Sequence, residues 1–85
     1  MEYLDHERVA QSLTAAGYRA DVHGEGKSRF VFAENDNRAV EVSASDSGVW
    51  VEYWDGDERP KFDRTFATVG PAVADAKAWL SGNAG

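Results

Sequence analysis

The chain of 85 residues has no cysteine, two prolines and two histidines, and carries only 9 lysines and arginines against 15 acids. Without cysteine there is no disulfide and no thiolate zinc site. No apolar run approaches the ~20 residues that cross a bilayer. The start, Met1-Glu2-Tyr3-Leu4-Asp5, lacks the basic and apolar parts of a secretion signal. The expectation is a cytoplasmic chain without a membrane. The shortage of bases is local. Glu41 to Asp63 holds seven acids and two bases of a chain whose net charge is −6. Phosphate contacts need a basic surface, so nucleic acid is not an expected partner, and an anionic membrane is repelled for the same reason. A basic protein would be attracted, mainly through a faster encounter.

The residues that could carry chemistry are equally sparse. His6 falls in the first turn of a helix and His23 ends a strand, and neither lies in a Ser-His-Asp or Glu-x-x-His spacing. His23 with Asp21 or Glu25 is the best that a small hydrolytic or metal-dependent enzyme could muster, and a two-layer domain of this size seldom encloses the pocket such an enzyme needs. Gly24-Glu25-Gly26-Lys27 has the glycines and lysine of a phosphate loop but joins two strands, so no helix dipole or amide cradle faces a ligand. Asp55-Gly56-Asp57-Glu58 has the composition of a calcium loop without its alternate ligands or closing glutamate. No catalytic residue, metal or cofactor is expected.

What the chain does have is apolar material: 42% hydrophobic and 12% aromatic residues. A chain this short forms one domain and buries only about 60–65% of its unfolded surface. The domain is expected over residues 1–82, with 83–85 as a disordered tail. Asp5 is a candidate N-cap for a helix from His6 to Ala16, with Val9, Leu13 and Ala16 as its stripe and Gly17 as its stop. Alternation then predicts strands over 18–23, 28–34, 38–44, 48–55 and 61–67, separated by turn-forming clusters such as Asn35-Asp36-Asn37 and Ser45-Asp46-Ser47-Gly48. Thr68 is expected to N-cap a second helix to about Leu80, with Pro71 in its first turn, Gly82 as its stop and an apolar stripe of Val69, Ala72, Val73, Ala76, Trp79 and Leu80. The strand connections are too short for parallel crossovers. The fold class is α+β: a two-layer antiparallel five-stranded meander with N- and C-terminal helices on one face, in the order α-β-β-β-β-β-α.

The most informative stretch is Val49-Trp50-Val51-Glu52-Tyr53-Trp54, which carries large apolar groups on both faces of one strand. The 45–48 turn sets Val40, Val42 and Ala44 opposite Tyr53, Val51 and Val49 as core. It sets Ala39, Glu41 and Ser43 opposite Trp54, Glu52 and Trp50 on the other face. Two glutamates directly opposite repel by a few tenths of a kcal/mol to about 1 kcal/mol, so their face should be wet or receive an arginine. For the preceding hairpin, a three-residue turn at Asn35–Asn37 buries Phe30 and Phe32 and places Arg29 diagonal to Glu41. Burial of a phenylalanine is worth about 1.5–3 kcal/mol, which favours that parity. Arg64 shares the core parity of Phe62 and Phe66 and is expected at the sheet edge, stem buried and head wet.

The helix–meander–helix order is similar in topology to double-stranded RNA-binding domains, which have three strands between two helices. The second helix here begins Thr68-Val69-Gly70-Pro71 and carries only Lys77, so the basic helix N-terminus those domains use is missing. The expected function is a small acidic non-enzymatic binding module of the inhibitor, antidote or charge-mimic kind. Its protein partner, itself basic, would dock on the open sheet face through Trp50, Glu52, Trp54, Glu41 and Asp55. The alternatives are the His23 enzyme and a homodimer that buries the same face against itself.

Overall fold

A computed structural model describes residues 4–82, so the expected 83–85 tail lies outside the described residues. Helix α1 (His6–Ala15) leads into strands β1 (Arg19–His23), β2 (Phe30–Asn35), β3 (Arg38–Ser45), β4 (Gly48–Asp55) and β5 (Phe62–Phe66), and helix α2 (Val69–Leu80) follows. A single 3-10 turn, Gly26–Ser28, delays the second strand by two residues relative to its expected start. The sheet runs in sequence order β1-β2-β3-β4-β5 with every pair antiparallel. α1 lies over β1 and β2, and α2 over β3, β4 and β5. Both helices therefore press on one face.

Local chemistry sets the ends of these elements. Asp5 is extended, and its carboxylate accepts from the Arg8 N–H at 3.1 Å, satisfying one of the open donors of α1. Gly17, at φ 99°, stops the helix in the left-handed conformation a side chain would resist. Thr68 is extended at the start of α2 but makes no side-chain cap, and Gly82 turns left-handed past its end.

The core is made of Val9, Ala10 and Leu13 from α1, of Ala72, Ala76, Trp79 and Leu80 from α2, and of Val31, Ala33, Val40, Val42, Val49, Val51 and Tyr53 from the sheet, sealed by Leu4. Register between β3 and β4 is the expected one: Val40 faces Tyr53, Val42 faces Val51, Glu41 faces Glu52 and Ala39 faces Trp54. Ala44 has the right parity but sits at the sheet's end and is exposed, as is Ala16 on α1.

The expected parity of β2 is overturned. β2 pairs with β3 across a two-residue turn, Asn35 opposite Arg38, not the three-residue turn that would bury the phenylalanines. Val31 and Ala33 enter the core at 0% exposure, while Phe30 and Phe32 stand on the other face. Two causes combine. The two-residue hairpin turns that follow strand twist need a positive φ at their first central residue, and Asp36 supplies it at 54°. α1 also packs over the small residues Ala20 and Ala33, where two phenylalanine rings would hold it off the sheet. The phenylalanines do not forfeit all their burial: both are half-buried against neighbouring rings. With the parity reversed, Arg29 does not meet Glu41. It pairs with Glu7 on α1 at 3.0 Å.

Candidate protein-binding face

The face opposite the helices is built by register. One row runs across all five strands: Asp21, Phe32, Glu41, Glu52 and Asp63 stand side by side. A second row, His23, Phe30, Ser43, Trp50 and Thr65, flanks it. On the other flank lie Arg19, Glu34, Ala39 and Trp54. The result is a row of four carboxylates and Phe32, with His23, Phe30 and Trp50 on one side and Trp54 on the other. Neighbouring strands are about 4.8 Å apart, so Glu41, Glu52 and Asp63 on consecutive strands stand side by side.

The rings form a connected set. His23 stacks on Phe30 with centroids 5.4 Å apart, and its edge contact with Phe32 is 6.5 Å. Phe32 meets Trp54 edge to face at 6.5 Å. Trp50 and Trp54 are half-buried and belong to no part of the core cluster. Ala39, beside Trp54 in the flanking row, is 9% exposed.

Burial raises the pKa of Glu41 above the usual carboxylate value. Glu52 is raised by burial first and then by the charges of Glu41 and Asp63. Among the described residues, Asp21, Glu34, Glu41, Glu52 and Asp63 form no ion pair. Three arginines are drawn to other partners. Arg29 goes to Glu7. Arg38 lies 4.1 Å over the Trp79 ring, donates to the Trp79 carbonyl at 3.1 Å and stands 3.9 Å from Asp55. Arg64 takes its edge position with its side chain 52% exposed, and its head pairs with Asp75 at 3.3 Å and lies 5.1 Å from the Phe62 ring. Arg19 is the one base within the strands that shares the open face. The sheet thus holds Arg29, Arg38 and Arg64 on the helix side, and Arg19, opposite Glu34, is the base its strands place on the bare face.

Of the five residues expected to bind a partner, Trp50, Glu52, Trp54 and Glu41 come together on this face. Asp55 does not. It has the parity of Tyr53, points to the helix side and is held near Arg38. Sequence reasoning missed Phe30 and Phe32, which double the face's large aromatics, and missed that Asp21 and Asp63 extend the acidic row. Reading Asp36-Asn37 as a two-residue hairpin turn would have found the phenylalanines.

The histidines are separated. His6 Nε2–H donates to the Arg29 carbonyl at 3.1 Å, and burial, followed by the Arg29 charge, lowers its pKa. His23 lies among the open-face rings. Among the described residues no group of three His, Asp or Glu side chains is placed to hold a metal ion, and no helix is long and apolar enough to cross a membrane. Comparisons with protein families, curated proteins and solved structures gave no match.

Proposed function

We propose that the chain is a non-enzymatic binding module that docks a basic protein partner on its open sheet face. The observation that carries this reading is the row of Glu41, Glu52 and Asp63, which makes no ion pair among the described residues, with Trp50 and Trp54 to either side of Glu52. Exposed apolar rings mark interaction surfaces, and tryptophan is the residue type that most often dominates interface energies. The acids choose the sign of the partner. A second copy meeting this face would set one carboxylate row against another, whereas a cationic surface would relieve Glu41 and Glu52 of their mutual repulsion. Trp50 and Trp54 act as anchors, Glu41 and Glu52 as the charged centre, with Phe30 and Phe32 widening the contact.

The test is affinity capture with the wild-type chain and with Trp50→Ala/Trp54→Ala, followed by titration of each captured protein in purified form. The expected outcome is a basic protein held by the wild type, lost by the double variant, and bound several-fold more weakly as salt rises from 50 to 300 mM. Binding undiminished in the double variant refutes the docking face.

A further inference from the structure

One end of the open face carries a shallow, open hollow. Phe32, Ala39 and Trp54 line a hollow of about 470 Å³ whose remaining border includes Glu34, Asp36 and Asp57. We infer that this hollow is an anchor subsite for an arginine side chain of the partner. The inference rests on the reading of the open face as a docking surface and narrows it to one place and one chemical group.

Three features converge. The walls are aromatic, with Phe32 and Trp54 fixed edge to face at 6.5 Å, and the floor is the nearly buried Ala39. Acids border it from two directions: Glu34 from β2, and Asp36 and Asp57 from the turns on either side. The arginine that lines it, Arg38, has its guanidinium over Trp79 and bonded to the Trp79 carbonyl on the helix side, so its charge is directed away from the hollow. Arg19 stands opposite Glu34 in the β1–β2 pair and offsets part of that carboxylate, leaving Asp36 and Asp57 as the unmatched acids. An aromatic wall with a carboxylate rim suits a guanidinium better than an ammonium. The guanidinium is planar and weakly hydrated, lies against rings and offers paired N–H donors to carboxylates. The larger hollow between the helices does not compete. It is bordered by Arg8 and Lys77 as well as Asp5, and favours neither sign.

The experiment is a titration of the uniformly ¹⁵N-labelled full chain with the capped tripeptide acetyl-Gly-Arg-Gly-amide, followed by two-dimensional NMR. The same peptide with citrulline, which keeps the shape and removes the charge, is the control. The arginine peptide is expected to give saturable shifts of the Trp54 indole N–H and of the Ala39, Gly56 and Asp57 amides. Apparent affinity should be at least threefold above that of the citrulline peptide. Asp36→Asn/Asp57→Asn, exposed positions that leave the fold's spectrum intact, should lower it at least threefold. Equal binding of citrulline, or no saturable shift by 50 mM, overturns the subsite. Saturable shifts confined to Trp50, Ser43 and Glu52 also overturn the subsite but leave the docking face standing. An octa-arginine peptide that shifts nothing on the open face overturns both.

Discussion

Glu52 is the residue on which the charge argument turns. It lies between Glu41 and Asp63 in one row, and its raised pKa is the signature of a carboxylate held where ionisation is unfavourable. Because the folded pKa lies above the unfolded one, the folded state holds more protons in the window just above the ordinary carboxylate value. Stability contributed there is present at low pH and falls as pH rises through the window. Glu52→Gln is therefore expected to raise the melting temperature at pH 7 by about 1–5 °C, from relief of about 0.2–1 kcal/mol of repulsion. The gain should shrink as pH falls towards 4.5. Scanning calorimetry at pH 7 and 4.5 reads both effects, and a variant less stable than wild type at pH 7 contradicts the repulsion. Partner affinity should fall over the same descent, as Glu41 and Glu52 take up protons. Tyr53 makes the complementary point on the core side. Its ring is fully buried and its hydroxyl donates to Asp75. Tyr53→Phe is expected to cost about 1–2 kcal/mol in urea unfolding, because Asp75 loses a donor while retaining Arg64. At this scale the alternation of β3 and β4 made the core valines and Tyr53 legible in the sequence. The partners of Arg29, Arg38 and Arg64 were not legible. Long side chains choose among acids and carbonyls that only the folded chain brings near, as Arg38 does with the carbonyl of Trp79, 41 positions away.

Among the elements, the β2–β3 hairpin decides what the open face is made of. One residue of turn length separates a face with Phe30 and Phe32 from one without them. The alternating pattern of β2 is ambiguous on its own, since Phe30/Phe32 and Val31/Ala33 are both apolar sets. The turn chemistry at Asp36 and the closeness of α1 to Ala33 resolve it, and the second of these is a tertiary fact. The β3–β4 hairpin had no such ambiguity, because its middle rows set Val40, Val42, Val51 and Tyr53 on one face and Glu41 and Glu52 on the other. Its end is fixed by Gly48, where a Cβ would stand 2.1 Å from the Phe66 carbonyl oxygen. Gly48→Ala is expected to push β5 off the end of β4 and lower stability by about 2 kcal/mol or more. Hydrogen exchange should show the loss first at the β4–β5 amides. Wild-type protection there would contradict the close approach. Helix ends were read well from Asp5, Gly17 and Gly82 because capping is local chemistry.

For the whole molecule, the class, the strand order and the placement of both helices followed from short connections and from two amphipathic helices needing a single sheet face. What the sequence could not show is where Arg29, Arg38 and Arg64 go: each had to be placed before Glu41, Glu52 and Asp63 could be seen to make no ion pair among the described residues. A domain of this size is stable by only about 4–13 kcal/mol, so a true core position and an interface position respond very differently to truncation. Leu13, with 0% exposure, is the internal standard, and Leu13→Ala is expected to cost about 2–5 kcal/mol. The most direct measurement is thermal unfolding of Trp50→Ala/Trp54→Ala beside Leu13→Ala. If the indoles line a surface awaiting a partner, the double variant melts within a few degrees of wild type and well above Leu13→Ala. A double variant that melts at or below Leu13→Ala, or does not fold, shows that the two tryptophans hold the domain together and contradicts the docking face.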